Sequence, residues 1–195
     1  MPIQHITFIS TTRLKKDTAL GGSVDNNMLL PYILQAQDRF IFPILGTDLY
    51  QKLKDLIVAN TISGNYQTLL EEYIQPALVH FSFAEVLPYL RLRFVNNSVV
   101  AMNTEQGNSV TYEELKPLIN RTEDIAEFYR QRLIDYLTNN TTLFAEYSTN
   151  TGADLNPTTQ NYYAGLNLDI NSYNPKRLQI KSVISAMGIK TIEVC

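Results

Sequence analysis

At 195 residues with a formal net charge of −3, 45% hydrophobic and 18% charged residues, the chain has room for one well-buried domain plus an extension. It lacks the basic field that draws a protein to nucleic acid. Its single cysteine, Cys195, excludes an intrachain disulfide and a cysteine-rich zinc site, and no apolar run approaches a membrane span.

The opening residues alternate briefly at Ile3, Ile6 and Phe8, then turn rich in Thr, Ser and Gly around Arg13, Lys15 and Lys16. This predicts an exposed lead-in with a solvated basic cluster. The lead-in does not read as a secretory signal, so the Asn-x-Ser/Thr triplets at Asn96, Asn120, Asn139 and Asn140 are expected to stay unmodified.

From Asp25 the apolar residues fall at Leu29/Leu30, Ile33/Leu34, Ala36, Phe40/Ile41 and Ile44/Leu45, the spacing of a helix that buries one face. Asp25, Asn26 and Asn27 can cap its start. Pro43 biases Phe42 out of the helical region, and Gly46 supplies a left-handed residue at which the chain reverses. Thr47 then caps a second helix with a stripe of Leu49, Leu53, Leu56 and Ile57.

After a turn-rich break at residues 60–65, a third helix runs from Leu69/Leu70 to Leu87, bent at Pro76 and ending near Pro88. Residues Phe94 to Val110 lose the helical stripe and read as an extended excursion or a hairpin. Val99, Val100 and Met102 precede the turn residues 105–108, and Val110 follows. An isolated hairpin is only marginally stable in water, so these four residues are expected to meet a neighbouring subunit or partner.

Thr111 to Glu114 form a capping box that opens a fourth helix reaching Asn139. Its polar side carries Glu123, Asp124, Glu127, Arg130 and Arg132. Asn140 to Cys195 is dominated by Asn, Thr, Ser, Gly and Tyr, and alone could not offset its ordering entropy. It is either a flexible tail or an arm that orders on a neighbour, with alternating stretches at 178–184 and 189–194 as strands in the latter case. Tyr162, Tyr163, Leu166, Leu178, Ile180 and Ile184 are its candidate contact residues. The expected fold is therefore mainly α. A bundle of about four helices occupies residues 1–139, with a β-hairpin arm at 94–110 and an extended C-terminal arm at 140–195.

Little in the chain suggests chemistry. His80 and Glu85 are five residues apart and do not share a helical face, and Glu85 is expected to pair with Arg91 or Arg93. Gly21-Gly22-Ser23 precedes a helix, but Asp25 competes for the amides an anion would use. No nucleotide loop, metal-spaced histidine pair or nucleophile with its base is present, so no catalytic, cofactor or metal residues are assigned and no enzyme is expected.

The wording of the first corner carries more than its periodicity. An acidic, Asn-rich cap, then Pro31-Tyr32-Ile33-Leu34-Gln35-Ala36-Gln37-Asp38-Arg39-Phe40-Ile41, then Pro43-Ile44-Leu45-Gly46 and Leu49-Tyr50, resembles the opening of head-to-tail connector proteins of tailed bacteriophages. The similarity is greatest to the ring proteins of crAss-like and other Bacteroidetes phages. It covers roughly Ile6 to Asn139. It implies a helical domain with a β arm between its last two long helices, assembled into a dodecameric ring beneath the portal protein at the head-tail junction of the virion. The ring would meet a further tail or ring protein on its other side and let DNA pass without specific binding. The C-terminal stretch is longer than the minimal family member, and its expected role is to reach the portal or an adjoining ring. The rivals are a helical DNA-binding module, since two helices joined at Gly46 imitate helix-turn-helix, and another tail structural protein.

Overall fold

The computed structural model describes residues 5–21, 23–90, 92–95, 98–101, 111–149, 151 and 155–159. The chain is mainly helical: α1 (Thr11–Asp17), α2 (Asn26–Ala36), α3 (Phe42–Val58), α4 (Gly64–Thr68), α5 (Gln75–Leu90), α6 (Tyr112–Asn139) and α7 (Ala145–Ser148). A π-helical turn, Gln37–Ile41, joins α2 to α3, and a second, Leu69–Ile74, joins α4 to α5.

Helix α5 is the centre of the molecule. Ala77, Leu78, Val79, Phe81, Phe83, Val86 and Leu87 point in all directions around it and are all buried, as expected of a helix enclosed by others. α6 lies along it through Ala126, Leu133, Ile134 and Leu137. α2 covers another side with Leu29, Ile33 and Ala36. Parallel aromatic stacking fastens the layers: Phe40 on Phe81 at 4.1 Å, and Tyr73 on Tyr136 at 3.9 Å.

The prolines are handled differently from expectation. Phe42 is helical (φ −54°, ψ −45°), so Pro43 does not expel it from the helix. A proline inside a helix loses one hydrogen bond and drives its ring into the carbonyl four residues back. Before Pro43 and Pro76 the turn is widened instead. Phe42 donates its N–H to Gln37 O, five residues back, immediately before Pro43. Gln75 donates to Leu70 O immediately before Pro76. Each π turn carries the chain past its proline without ending the helix.

Gly46 is where α3 breaks, at φ 72° and ψ 169°, a region essentially closed to residues with a Cβ. The expected reversal therefore falls where the sequence places it. Asp25 caps α2 by accepting from Asn27 N–H at 3.0 Å. The Thr111 hydroxyl and Glu114 carboxylate exchange their bonds with the opposite backbone N–H groups at the start of α6.

The lead-in is not exposed. Residues 11–17 form α1, capped by Ser10, and Phe8, Ile9, Leu14 and Leu20 are buried with α2 and α5. Periodicity could not reveal this, because the four sit irregularly among Thr and Lys and their burial comes from contacts far along the chain. Of its basic side chains Lys16 is exposed, while Arg13 and Lys15 are half-buried: Arg13 reaches Asp17 and Gln75, and Lys15 donates to Val24 O.

Between α5 and α6, β1 (Leu92–Val95) pairs antiparallel with β2 (Ser98–Ala101), Leu92 opposite Ala101 and Val95 opposite Ser98. The pairing ends at Val95 opposite Ser98, and the turn expected at 105–108 lies outside the described residues. Val99 and Val100 lie in β2 opposite Phe94 and Arg93, while Met102 and Val110 fall outside the described residues.

The stretch after Asn139 begins as part of the bundle, contrary to an arm that starts at Asn140. A 3-10 turn, Thr141–Leu143, leads into α7, and Phe144 is completely buried, edge-on to Tyr66 at 5.5 Å. A buried aromatic of this size contributes a few kcal/mol, enough to dock a short segment of otherwise polar composition. Tyr162, Tyr163, Leu166, Leu178, Ile180, Ile184 and the suggested strands lie outside the described residues.

Candidate functional site

Three places on the molecule concentrate polar or exposed apolar groups. The first is the Gly46 corner. Thr151 and residues 155–158 return to it: Thr47 N–H donates to Leu155 O at 2.9 Å, Leu155 N–H to Thr47 Oγ1 at 2.9 Å, and Thr158 N–H to Pro43 O at 2.8 Å. Thr151 donates through its hydroxyl to Asp48 Oδ1 at 2.7 Å. Pro157 lies so close that a Cβ on Gly46 would come within 2.7 Å of its ring. The amides of Thr47, Leu155 and Thr158 thus have intramolecular partners, and the corner is a structural latch.

The second is a buried polar clamp on the lead-in. Gln37, fully buried, accepts Phe8 N–H at 2.7 Å and donates to Ile6 O at 3.0 Å and to the Tyr50 hydroxyl at 2.8 Å. Tyr50 in turn donates to Asp38 at 2.9 Å. Gln75 donates to Phe8 O at 2.8 Å and accepts from Arg13 at 2.6 Å. Both glutamines adjoin a π turn. Burial first, with Asp38 adding to it and the Gln37 hydrogen bond opposing, pushes the Tyr50 phenol up to about 12. The network is saturated, and a buried polar group that has its partners is a specifying element of a core.

The third is the surface of α6. Leu118, Ile125 and Phe128 are exposed on one flank, Phe128 by 64%. Leu118 and Ile125, with His80 and Phe83, line a groove of about 260 Å³. Glu123 and Glu127, on the opposite flank, and Asp124, between the flanks, border a groove of about 360 Å³ floored by Phe40, Phe81 and Ala84.

The titratable groups do not converge. His80 stacks parallel to Tyr129 at 5.5 Å, and burial pushes its pKa down while the charge of Asp17 opposes this. Glu85 pairs with Arg39 at 2.7 Å and accepts from Gln35 at 3.2 Å; of the expected partners, Arg91 and the side chain of Arg93 lie outside what the structure describes. Arg39 lies 46 positions away in the chain, on the π turn that faces α5, and nothing local announces it. Among the described residues, no group of three or more His, Cys, Asp or Glu is placed to hold a metal. Two buried hydroxyls there, Ser82 and Tyr147, have no hydrogen-bond partner, and they lie on different helices. No helix among the described residues is long and apolar enough to cross a membrane.

A helical body with a latched corner and contact-type surfaces is the class of protein these features define. The chain belongs to a family of unknown function, DUF6712, which matches residues 41–156. The match opens at the last residue of the first π turn and closes beside Pro157, so it takes in α3 to α7 with Leu155 and Asn156 and leaves out α1 and α2. No curated protein and no solved structure matches the chain.

Proposed function

We propose that the chain is a structural subunit of a bacteriophage virion, one copy of a ring that sits under the portal, joins head to tail and continues the DNA channel. The observation that carries this reading is the exposed apolar flank of α6, Leu118, Ile125 and Phe128, on a body whose core is otherwise complete. A self-sufficient monomer has no internal use for such a flank, whereas a subunit with neighbours does.

On this reading the ladder between α5 and α6 is the arm that such connectors carry. The reading gives it, with Val99, Val100, Met102 and Val110, to contacts with an adjacent subunit through strand addition. The stretch beyond Thr159, including Tyr162 and Leu178, is assigned to the portal or an adjoining ring. The net charge of −3 suits a wall past which DNA slides without being held, and the role is one of assembly without catalysis.

Negative-stain imaging of the full chain mixed with its candidate portal tests this. Rings stacked coaxially on the portal are expected, and a portal left bare at saturating protein overturns the reading. A DNA-binding module would instead shift duplex DNA with a steep salt dependence; no salt-sensitive shift is expected.

A further inference from the structure

The two flanks of α6 are chemically unlike. Leu118, Arg121, Ile125 and Phe128 recur at intervals of three and four, and so line one face. Glu127 follows Ile125 by two residues, which turns it roughly 160° around the helix. It joins Glu123 over the groove whose floor is the stacked Phe40–Phe81 pair, while Asp124, three residues after Arg121 and four before Phe128, borders the groove on the side nearer that row.

The charges on these flanks are unevenly satisfied. Glu85 is held by Arg39 and Glu127 by Arg130, at 2.7 and 2.8 Å. Glu123 and Asp124 make no ion pair among the described residues, and neither does Arg121 on the other flank. One flank thus offers an exposed aromatic ring beside a free cation. The other offers an aromatic-floored groove of about 360 Å³ beside two free carboxylates.

We propose that these flanks bind one another between copies of the chain. Phe128 of one copy seats on the Phe40–Phe81 floor of the next, and Arg121 faces Glu123 and Asp124. The groove is large enough for a phenyl ring, and the charges are opposite in sign. Because the two patches differ, the contact is heterologous, running head to tail, and leaves the pair with one free flank of each kind, one on either copy. The proposal deepens the ring reading and rests on it for closure of the chain of contacts; the pairwise contact itself stands on the geometry alone.

The test uses full-length chain carrying Cys195→Ser, with Arg121→Cys in one preparation and Glu123→Cys in another. Under mild oxidation an equimolar mixture is expected to yield disulfide-linked dimers, and either preparation alone very little. Equal cross-linking of one preparation by itself, which packing of one flank on the same flank of a second copy would give, overturns the proposal, as does a mixture that stays uncrosslinked. In parallel, sedimentation of Phe128→Asp should show association weakened by about tenfold or more. Val58→Asp, at an exposed site off both flanks, should leave it unchanged. Phe128→Asp rings that still form on the portal overturn this interface but leave the head-to-tail role standing. Cross-linking that persists while the portal stays bare supports the interface and counts against that role.

Discussion

The backbone of Phe8 is held from both sides by glutamine amides: Gln37 Oε1 accepts its N–H at 2.7 Å, and Gln75 Nε2 donates to its carbonyl at 2.8 Å. The two glutamines come from different helical turns, and together they make an apparently loose lead-in part of the core. Replacing Gln37 with Leu keeps the volume but orphans the Phe8 N–H and the Ile6 carbonyl. With about 1–3 kcal/mol for each buried group left unsatisfied, Gln37→Leu is expected to lower unfolding free energy by about 3 kcal/mol, read as a shift in the urea midpoint at unchanged slope.

Gly46 and Gly64 offer a matched comparison. Both have positive φ, 72° and 57°, but a Cβ on Gly46 meets Pro157 at 2.7 Å whereas a Cβ on Gly64 meets nothing within 4 Å. Gly64→Ala should cost only the left-handed penalty, about 1 kcal/mol. Gly46→Ala should cost about 3 kcal/mol or more, through a Gly-only backbone region and the collision together. Adding Pro157→Ala should recover part of the loss at Gly46 and none at Gly64, which a double-mutant cycle in thermal unfolding would measure.

Stability should fall in alkali. Tyr50 and Tyr66 are both pushed up to about 12, each by burial first; Asp38 adds to the first and the Glu146 carboxylate, hydrogen-bonded at 2.7 Å, to the second. A phenol whose folded pKa lies above its ordinary value of 10.0 keeps its proton longer when folded. Its contribution is therefore complete below pH 10 and lost as pH rises from 10 through 12. For Tyr50 this amounts to on the order of 2 kcal/mol. Urea midpoints followed from pH 9 to 12 should decline, and Tyr50→Phe should flatten the decline while lowering the plateau at neutral pH.

The capping box at the head of α6 predicts a local effect. Thr111→Ala removes the hydroxyl that accepts the Glu114 N–H and should cost about 1 kcal/mol. The first turn of α6 should lose amide-exchange protection while the Ala126–Leu137 region keeps it. Uniform loss along the helix would contradict this.

What could be read in the residues was what depends on near neighbours. Asp25, the Thr111–Glu114 box and Gly46 announce themselves because cap and turn chemistry acts over a few positions. The stripe of α6 was legible for the same reason, including the acidic side that became one wall of a groove. The hidden parts depend on distance along the chain. Arg39 reaches Glu85 across 46 positions, Gln75 reaches Phe8 across 67, and Phe144 is buried against Tyr66. The π turns were hidden differently: one extra residue per turn leaves hydrophobic spacing nearly intact, so Pro43 and Pro76 read as a helix end and a bend when each is carried inside a continuing helix. The exposed Leu118 and Phe128 cannot be told from core residues until α5 has been placed beside α6.

The latch at Gly46 also sets an order of events during synthesis. Thr47 and Leu155 are 108 positions apart, so at a translation rate of about 5–20 residues per second the corner waits on the order of ten seconds for its cover. Throughout that interval the nascent polypeptide presents the bare backbone of Pro43 and Thr47 to chaperones, and a product stalled before Pro157 would leave the ribosome with that seam still open.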